Sequence, residues 1–113
     1  MKYIVAVIQP DKLESVMEAL EEAEIHLITV SDVMGRVRQK GVAEVYRSHV
    51  EPGNLLRKVK IEVAVNEQYV GPTLEAIKIG ANTGNIGDGK IFVLDLSECI
   101  RIRTGETVGL AIG

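Results

Sequence analysis

The residue types best suited to binding an anion lie close together in Thr83–Lys90, which contains three glycines, one aspartate and one lysine. Glycines let backbone N–H groups approach an anion closely, and Lys90 adds a positive charge. The stretch is not a Walker A loop, because it lacks both the required order of Gly, Lys and Ser or Thr and a helix after it. It therefore indicates either an anion site of another kind or a purely structural glycine turn.

A second candidate for anion binding is the pair Arg101 and Arg103. Alternation in a strand would put both side chains on one side, where two guanidinium groups can grip a polyphosphate. The alternative is two surface arginines paired with nearby carboxylates. No catalytic set accompanies them: His26 and His49 lack a recognisable nucleophile or metal partner, and Asp88 is better explained as part of the glycine turn. These residues favour a binding protein over an enzyme.

The hydropathy pattern predicts the elements that must position these residues. Apolar residues alternate or cluster in the predicted strands and recur at helical spacing in two predicted helices. The strands are Lys2–Gln9, Leu27–Val33, Leu56–Val65 and Lys90–Leu96, the first helix is Asp11–Ala23, and Ile100–Arg103 is a candidate short fifth strand. A second helix is indicated by the apolar stripe Val70, Leu74, Ile77 and Ala81, with Asn66 as its candidate cap. This order is that of an α+β, ferredoxin-like βαββαβ fold. A chain of 113 residues and 12.3 kDa has room for a single domain, over residues 1–113.

A long loop, about Gly35 to Leu55, separates the second and third predicted strands. Loops of this length are functional or are floppy solvated insertions, and both readings remain open. Basic residues crowd this part of an otherwise acidic chain, which favours a local anion site. They are Arg36, Arg38, Lys40, Arg47, Arg57, Lys58 and Lys60.

The first strand carries apolar residues on both of its faces, with Tyr3, Val5 and Val7 on one and Ile4, Ala6 and Ile8 on the other. Two helices cover only one face of such a sheet, and a large exposed apolar patch on a monomer is a liability. We therefore expect a closed homo-oligomer, and periodicity does not choose between two and three subunits.

Composition excludes several classes of function. The formal net charge of -3, a pI of about 5.4 and the absence of Trp argue against a large nucleic-acid-binding surface. The single cysteine, Cys99, forms no internal disulfide, as in proteins of a reducing cytoplasm. The apolar run Tyr3–Ile8 is too short for a membrane span, and no signal-peptide pattern precedes it. We expect a cytoplasmic protein.

Taken together, a series of segments resembles the PII nitrogen-regulatory signal proteins over nearly the whole chain. The matching segments are Gly35, Arg38–Gly41, Glu44, Tyr46–Arg47, Lys58–Glu62, Thr83–Gly84, Gly87–Val93 and Arg101–Glu106. The resemblance implies a homotrimer of ferredoxin-like subunits that binds ATP or ADP competitively between subunits, and 2-oxoglutarate together with Mg-ATP. It also implies that the central loop, about residues 36–55, is the flexible T-loop that contacts partner proteins.

The resemblance implies a role for each matching position. Arg38, Lys90, Arg101 and Arg103 would hold the nucleotide phosphates, and Gln39 would ligate Mg²⁺ through its amide oxygen. Lys58 would pair with a carboxylate of 2-oxoglutarate. The implied nucleotide-binding set is Thr29, Val37, Arg38, Gln39, Glu62, Ala64, Gly87, Asp88, Gly89, Lys90, Arg101 and Arg103, and the implied 2-oxoglutarate set is Gln39, Lys40, Gly41, Lys58 and Gly87.

The loop departs from the family pattern at three positions. Glu51 stands where relatives carry the tyrosine that receives a nucleotidyl group, and His49 replaces the serine that some branches phosphorylate. We therefore expect neither modification at its usual position. Val37 replaces a frequent glycine and restricts the backbone near the phosphates.

The resulting interpretation is a non-enzymatic sensor of ATP, ADP and 2-oxoglutarate. It would regulate a nitrogen-assimilation enzyme or an ammonium transporter, with recruitment to the membrane through a transporter partner. One alternative is a divergent PII-like nucleotide-binding regulator without a 2-oxoglutarate response, against which the retained Gln39 and Lys58 argue. The other is a small phosphohydrolase on the same fold.

Overall fold

The structure, a computed structural model, describes residues 1–36, 50–51 and 55–112. Its strands are β1 (Lys2–Ile8), β2 (Thr29–Gly35), β3 (Val50–Glu51), β4 (Leu55–Val65) and β5 (Gly89–Asp95), and its helices are α1 (Leu13–Glu22), α2 (Val70–Ala81) and a short α3 (Gly109–Ile112). Single 3₁₀ turns, Pro10–Lys12 and Glu67–Tyr69, lead into α1 and α2. These bounds agree with the predicted strands and helices to within one to three residues.

The sheet is antiparallel throughout, with the strand order β2-β4-β1-β5 and with β3 paired to the start of β4. The central strand β1 pairs on one side with β4 and on the other with β5, so that Ile4 lies between Val63 and Val93. The strands β2 and β4 pair with each other, although residues 36–54, which include β3, separate them in the sequence. This is the predicted ferredoxin-like βαββαβ arrangement, which is confirmed.

The core lies between one face of the sheet and the two long helices. Ile4 and Ala6 of β1 and Val16 of α1 have no exposed surface. The helices approach closely at Gly80 of α2, since a Cβ there would lie 2.6 Å from the Cα of Val16. The buried apolar cluster is completed by Ile8, Leu20, Ile25, Val59, Ile61, Val63, Val65, Ala76, Ile77 and Ala81.

The other face of the sheet has no helix over it in the described part of the chain. Phe92 and Leu94 of β5 point to this outer face and are 50% and 49% exposed. Their register partners on β1, Val5 and Tyr3, are only half-buried. The prediction that two helices cover one face of a strand that is apolar on both is therefore confirmed.

Two local predictions are wrong. The candidate fifth strand Ile100–Arg103 does not form: Ile100 makes one isolated bridge to Thr107, and the residues that follow it turn back at once. Asn66 stands at the N-cap of the 3₁₀ turn before α2, but the predicted capping by its side chain is not found. Its Nδ2 donates to the carbonyl oxygen of Gly109 at 3.3 Å and so connects α3 to this turn. No helix among the described residues is long and apolar enough to cross a membrane.

Candidate ligand-binding site

A cleft of about 670 Å³ lies where the turn before β5 meets the ends of β2 and β4. Three cations, Arg36, Lys58 and Lys90, contribute to its wall, and no carboxylate of the described residues does. The remaining lining is the backbone of small residues and a few apolar side chains, namely Val7, Gly35, Ile86, Gly87, Gly89 and Phe92. The wall of the cleft combines positively charged side chains with accessible backbone, and this combination suits an anionic ligand.

The glycine turn approaches the sheet too closely for any side chain. Gly87 and Gly89 have φ of 97° and 112°, a region that L-residues with a Cβ rarely adopt. A Cβ on Gly89 would lie 1.9 Å from the carbonyl oxygen of Val7. The sequence therefore places glycine here for two reasons, conformation and space, and the open backbone of the turn becomes part of the cleft wall.

The carboxylate of Asp88 closes the turn on itself. It accepts hydrogen bonds from the backbone N–H of Thr83 at 2.7 Å and of Gly84 at 3.0 Å, and from the Thr83 hydroxyl. Burial alone would raise the pKa of Asp88, but these hydrogen bonds to the charged form together outweigh it, and the pKa lies below its usual value.

Lys58 is the one lysine that the structure buries among the described residues, with 3% of its surface exposed. Its Nζ donates to the carbonyl oxygen of Gly87 at 3.1 Å, which connects β4 to the glycine turn. Burial lowers the pKa of Lys58, and the negative charge of Asp88 partly offsets that effect. A buried amine at the wall of a cleft is a strong partner for a carboxylate, because little water competes for it.

The three residues expected around a nucleotide base lie on the outer face of the sheet, on two neighbouring strands. Thr29 of β2 is the register partner of Glu62 on β4, and Ala64 follows Glu62 on the same face. Lys60 shares this face and lies 3.6 Å from the Glu62 carboxylate. The structure thus brings Lys58, Gly87, Gly89 and Lys90 into one cleft and places Thr29, Glu62 and Ala64 further along the same sheet face.

Arg101 and Arg103 do not line this cleft. Arg101 lies in a turn in which its backbone N–H donates to Glu106 and its guanidinium contacts the Glu106 carboxylate at 2.9 Å. The expected strand alternation of the two arginines is therefore absent, and the alternative pairing with a nearby carboxylate is found for Arg101.

Several expected site residues lie outside the described residues. They are Val37, Arg38, Gln39, Lys40 and Gly41, together with the loop positions that include His49. Three further residues line the cleft: Arg36, which the sequence predicted only as one of the basic residues favouring an anion site, and Ile86 and Phe92, to which it assigned no role. Their positions in the sequence could have indicated this. Arg36 directly follows β2, Ile86 lies inside the glycine turn, and Phe92 is two residues after Lys90, on the same face of β5.

Comparisons with known proteins agree with this fold. The sequence model of the family described as nitrogen regulatory protein P-II matches residues 1–106. The nitrogen regulatory protein GlnK1 of Methanosarcina mazei is 50% identical over 109 residues, which are 95% of this chain and 93% of the relative. The nitrogen regulatory protein P-II of Azospirillum brasilense is 51% identical over 112 residues, 99% of this chain and 100% of the relative.

A solved structure is similar as well. The crystal structure of Arabidopsis thaliana PII bound to citrate superposes with a TM-score of 0.79 at 36% identity, covering 98% of this chain and 88% of that one. The matched segment includes every strand of the sheet and the whole glycine turn. The chain belongs to the P-II family of nitrogen regulatory proteins.

Proposed function

We propose that this regulatory protein is a homotrimeric, non-enzymatic sensor of ATP, ADP and 2-oxoglutarate. The observation that carries the proposal is the cleft whose wall combines the glycine turn with the buried amine of Lys58. The glycine turn suits phosphates and the Lys58 amine suits a carboxylate, so that two chemically different anions bind in one cleft. Through residues 36–55 the protein then controls a nitrogen-assimilation enzyme or an ammonium transporter.

The phosphates of the nucleotide bind at the glycine turn. Gly87 and Gly89 offer close backbone approach, and Lys90 supplies a charge at the same wall. Arg38, Arg101 and Arg103 complete the phosphate site, the two latter from a neighbouring subunit, which agrees with their distance from the cleft of their own chain. Thr29, Glu62 and Ala64, on the outer sheet face, surround the base.

The second anion, 2-oxoglutarate, binds beside the phosphates. Lys58 pairs with one carboxylate, and the backbone of Gln39, Lys40 and Gly41 assists. Gln39 also ligates Mg²⁺, a hard cation that shares oxygen ligands with phosphates. The Arabidopsis thaliana neighbour is bound to citrate, which like 2-oxoglutarate is a small polycarboxylate, and this similarity supports a carboxylate effector.

An oligomer is expected because the outer sheet face is apolar and half-exposed in the single chain, as at Phe92 and Leu94, and the resemblance to the P-II family favours three subunits. Light scattering with mass detection should give about 37 kDa, three times the 12.3 kDa of the chain, at micromolar concentration. A stable species at the mass of one chain would contradict both the trimer and a nucleotide site shared between subunits.

Lys90→Ala and Arg103→Ala should each weaken ATP binding. Each substitution removes a charge-assisted contact of roughly 1.5 to 3 kcal/mol, which is roughly ten- to a hundredfold in affinity. Isothermal titration calorimetry measures the change, and Lys2→Ala, at the opposite end of β1 from the glycine turn, is the control. Wild-type affinity in both variants would show that phosphate does not bind at these residues.

The experiment that tests the function as a whole is calorimetry of the wild-type protein with ATP, ADP and 2-oxoglutarate, with and without Mg²⁺. The proposal expects ATP and ADP to compete and 2-oxoglutarate to bind in the presence of Mg-ATP. Binding of nucleotide without any response to 2-oxoglutarate would leave a nucleotide-binding regulator of the divergent kind. Release of inorganic phosphate at a rate proportional to protein concentration would favour the phosphohydrolase instead.

A further inference from the structure

The glycine turn is held from two opposite sides. On one side the Lys58 amine holds the carbonyl of Gly87 at 3.1 Å. On the other side the Asp88 carboxylate holds Thr83 and Gly84 at the beginning of the turn. Between these two anchors lies the backbone that lines the cleft.

Both oxygens of the Asp88 carboxylate are engaged in these contacts. Oδ2 accepts from the N–H groups of Thr83 and Gly84, at 2.7 and 3.0 Å. Oδ1 accepts from the Thr83 hydroxyl, and Nε2 of Gln9 on the neighbouring strand end approaches it at 3.5 Å. The Thr83 hydroxyl in turn accepts from the N–H of Asn85 at 3.2 Å, which extends the network around the turn.

This arrangement is unsuited to a direct contact between Asp88 and an anionic ligand. A carboxylate repels a phosphate, and the side chain is absent from the cleft wall although Gly87 and Gly89 on either side of it are present there. The contribution of Asp88 must therefore pass through the backbone.

We propose that Asp88 is a positioning residue for nucleotide binding, whose carboxylate fixes Thr83 and Gly84 and thereby sets the path of the Gly87–Lys90 backbone along the cleft. The inference rests on the proposed function, because it takes a nucleotide as the ligand of this turn. It reassigns Asp88 from a residue in contact with the nucleotide to one that shapes the contact surface. What matters is an acceptor at the position of Oδ2, and the negative charge is secondary.

Two substitutions at this position separate acceptor geometry from charge. Asp88→Asn keeps an oxygen able to accept from both N–H groups and removes the charge, whereas Asp88→Ala removes both. We expect Asp88→Ala to weaken ATP binding about tenfold, and Asp88→Asn to stay within about threefold of wild type. Asp95, at the other end of β5 and paired only with Lys2 in the described structure, provides the matched control: Asp95→Ala should leave ATP affinity unchanged.

The amide resonances of Thr83 and Gly84 give a second readout that a general loss of stability would not reproduce. Their downfield proton shifts should persist in the Asn variant and be lost in the Ala variant. If Asp88→Ala does not fold, Thr83→Val supplies the test. It removes the hydroxyl contact to Oδ1 and the acceptor of the Asn85 N–H, and it leaves the two backbone contacts to Oδ2 in place. It should weaken ATP binding by about two- to threefold in a folded protein.

Three results would overturn the inference: wild-type ATP affinity in Asp88→Ala, equally weak binding in Asp88→Asn and Asp88→Ala, or unchanged amide shifts in the Ala variant. The second of these would assign the effect to charge. A wild-type protein that binds no nucleotide would overturn the proposed function instead, and the amide resonances would still decide whether Asp88 holds the turn.

Discussion

Gly89→Ala is expected to destabilise the protein by at least about 3 kcal/mol and to weaken ligand binding at the glycine turn. The added Cβ would lie 1.9 Å from the carbonyl oxygen and 3.0 Å from the carbonyl carbon of Val7. That backbone has nowhere to move, because Val7 is in the central strand and pairs with both Lys60 and Lys90. A φ of 112° adds conformational strain for any residue with a Cβ. Urea denaturation followed by circular dichroism measures the loss.

Gly84→Ala is the matched control within the same turn. Gly84 also has a positive φ, 81°, but a Cβ there meets nothing within 4 Å. Only the conformational term remains, and it should cost about 1 kcal/mol. If the two variants unfolded at the same urea concentration, the close approach of the turn to β1 would not be the reason for glycine at position 89.

The second large effect is expected at Lys58. Lys58→Met keeps the length and apolar stem of a buried side chain and removes the amine that the proposal pairs with a carboxylate of 2-oxoglutarate. Removing one partner of a buried charge pair costs roughly 2 to 5 kcal/mol, or from about thirtyfold to several thousandfold in affinity. Calorimetry in the presence of Mg-ATP should therefore show almost no 2-oxoglutarate binding, with a smaller change in ATP affinity. Lys78→Met, on the helical side of the sheet and paired with Glu75, is the control and should bind as wild type.

The binding of 2-oxoglutarate should also depend on which nucleotide is present. If Mg²⁺ held by Gln39 bridges the phosphates and 2-oxoglutarate, the acid has a complete site only with Mg-ATP, and ADP does not substitute. Gln39→Ala should then resemble Lys58→Met. Linkage requires that 2-oxoglutarate tighten ATP binding by the same factor by which ATP tightens 2-oxoglutarate binding. Equal 2-oxoglutarate affinity with ATP, with ADP and without nucleotide would contradict this coupling.

Periodicity predicted the sheet well because the burial of each strand follows it closely. On β4, the residues Val59, Ile61, Val63 and Val65 are buried against the helices, while the alternate positions face outward, as the pattern predicted. The two apolar faces of β1 likewise predicted that the outer face of the sheet has no helix over it. These features depend on side-chain polarity and on a two-residue repeat, and both can be determined from the sequence.

The end of the chain was less predictable because a turn overrides the local pattern there. Ile100 and Ile102 suggested a strand, but Ile102 is 99% exposed and no strand partner reaches it in the described structure. The N–H of Gly105, with φ of 74°, donates instead to the carbonyl of Arg101. The signal was present in the Thr104–Glu106 turn residues, which weigh against a continuing strand.

The burial of Lys58 also exceeds what alternation predicts. Its position in the pattern assigns it to the same outward face as Lys60 and Glu62, both of which retain solvent exposure. Lys58 differs because two segments distant in sequence lie against it: the Gly87 carbonyl accepts a hydrogen bond from its amine, and Gly35 lies beside its Cγ. The contact between Lys58 on β4 and Gly87 in the glycine turn spans 29 residues of sequence. It is set by the tertiary fold, and no local sequence pattern predicts it.

The central position of β1 governs how the chain folds as it is synthesised. Both partners of this strand come late: Lys2 pairs with Val65 and with Asp95. β1 therefore waits for about 57 further residues before its first partner, β4, is complete. At roughly 5 to 20 residues per second this takes on the order of 3 to 11 s. During that time Tyr3–Ile8, apolar on both faces, has no sheet to enter.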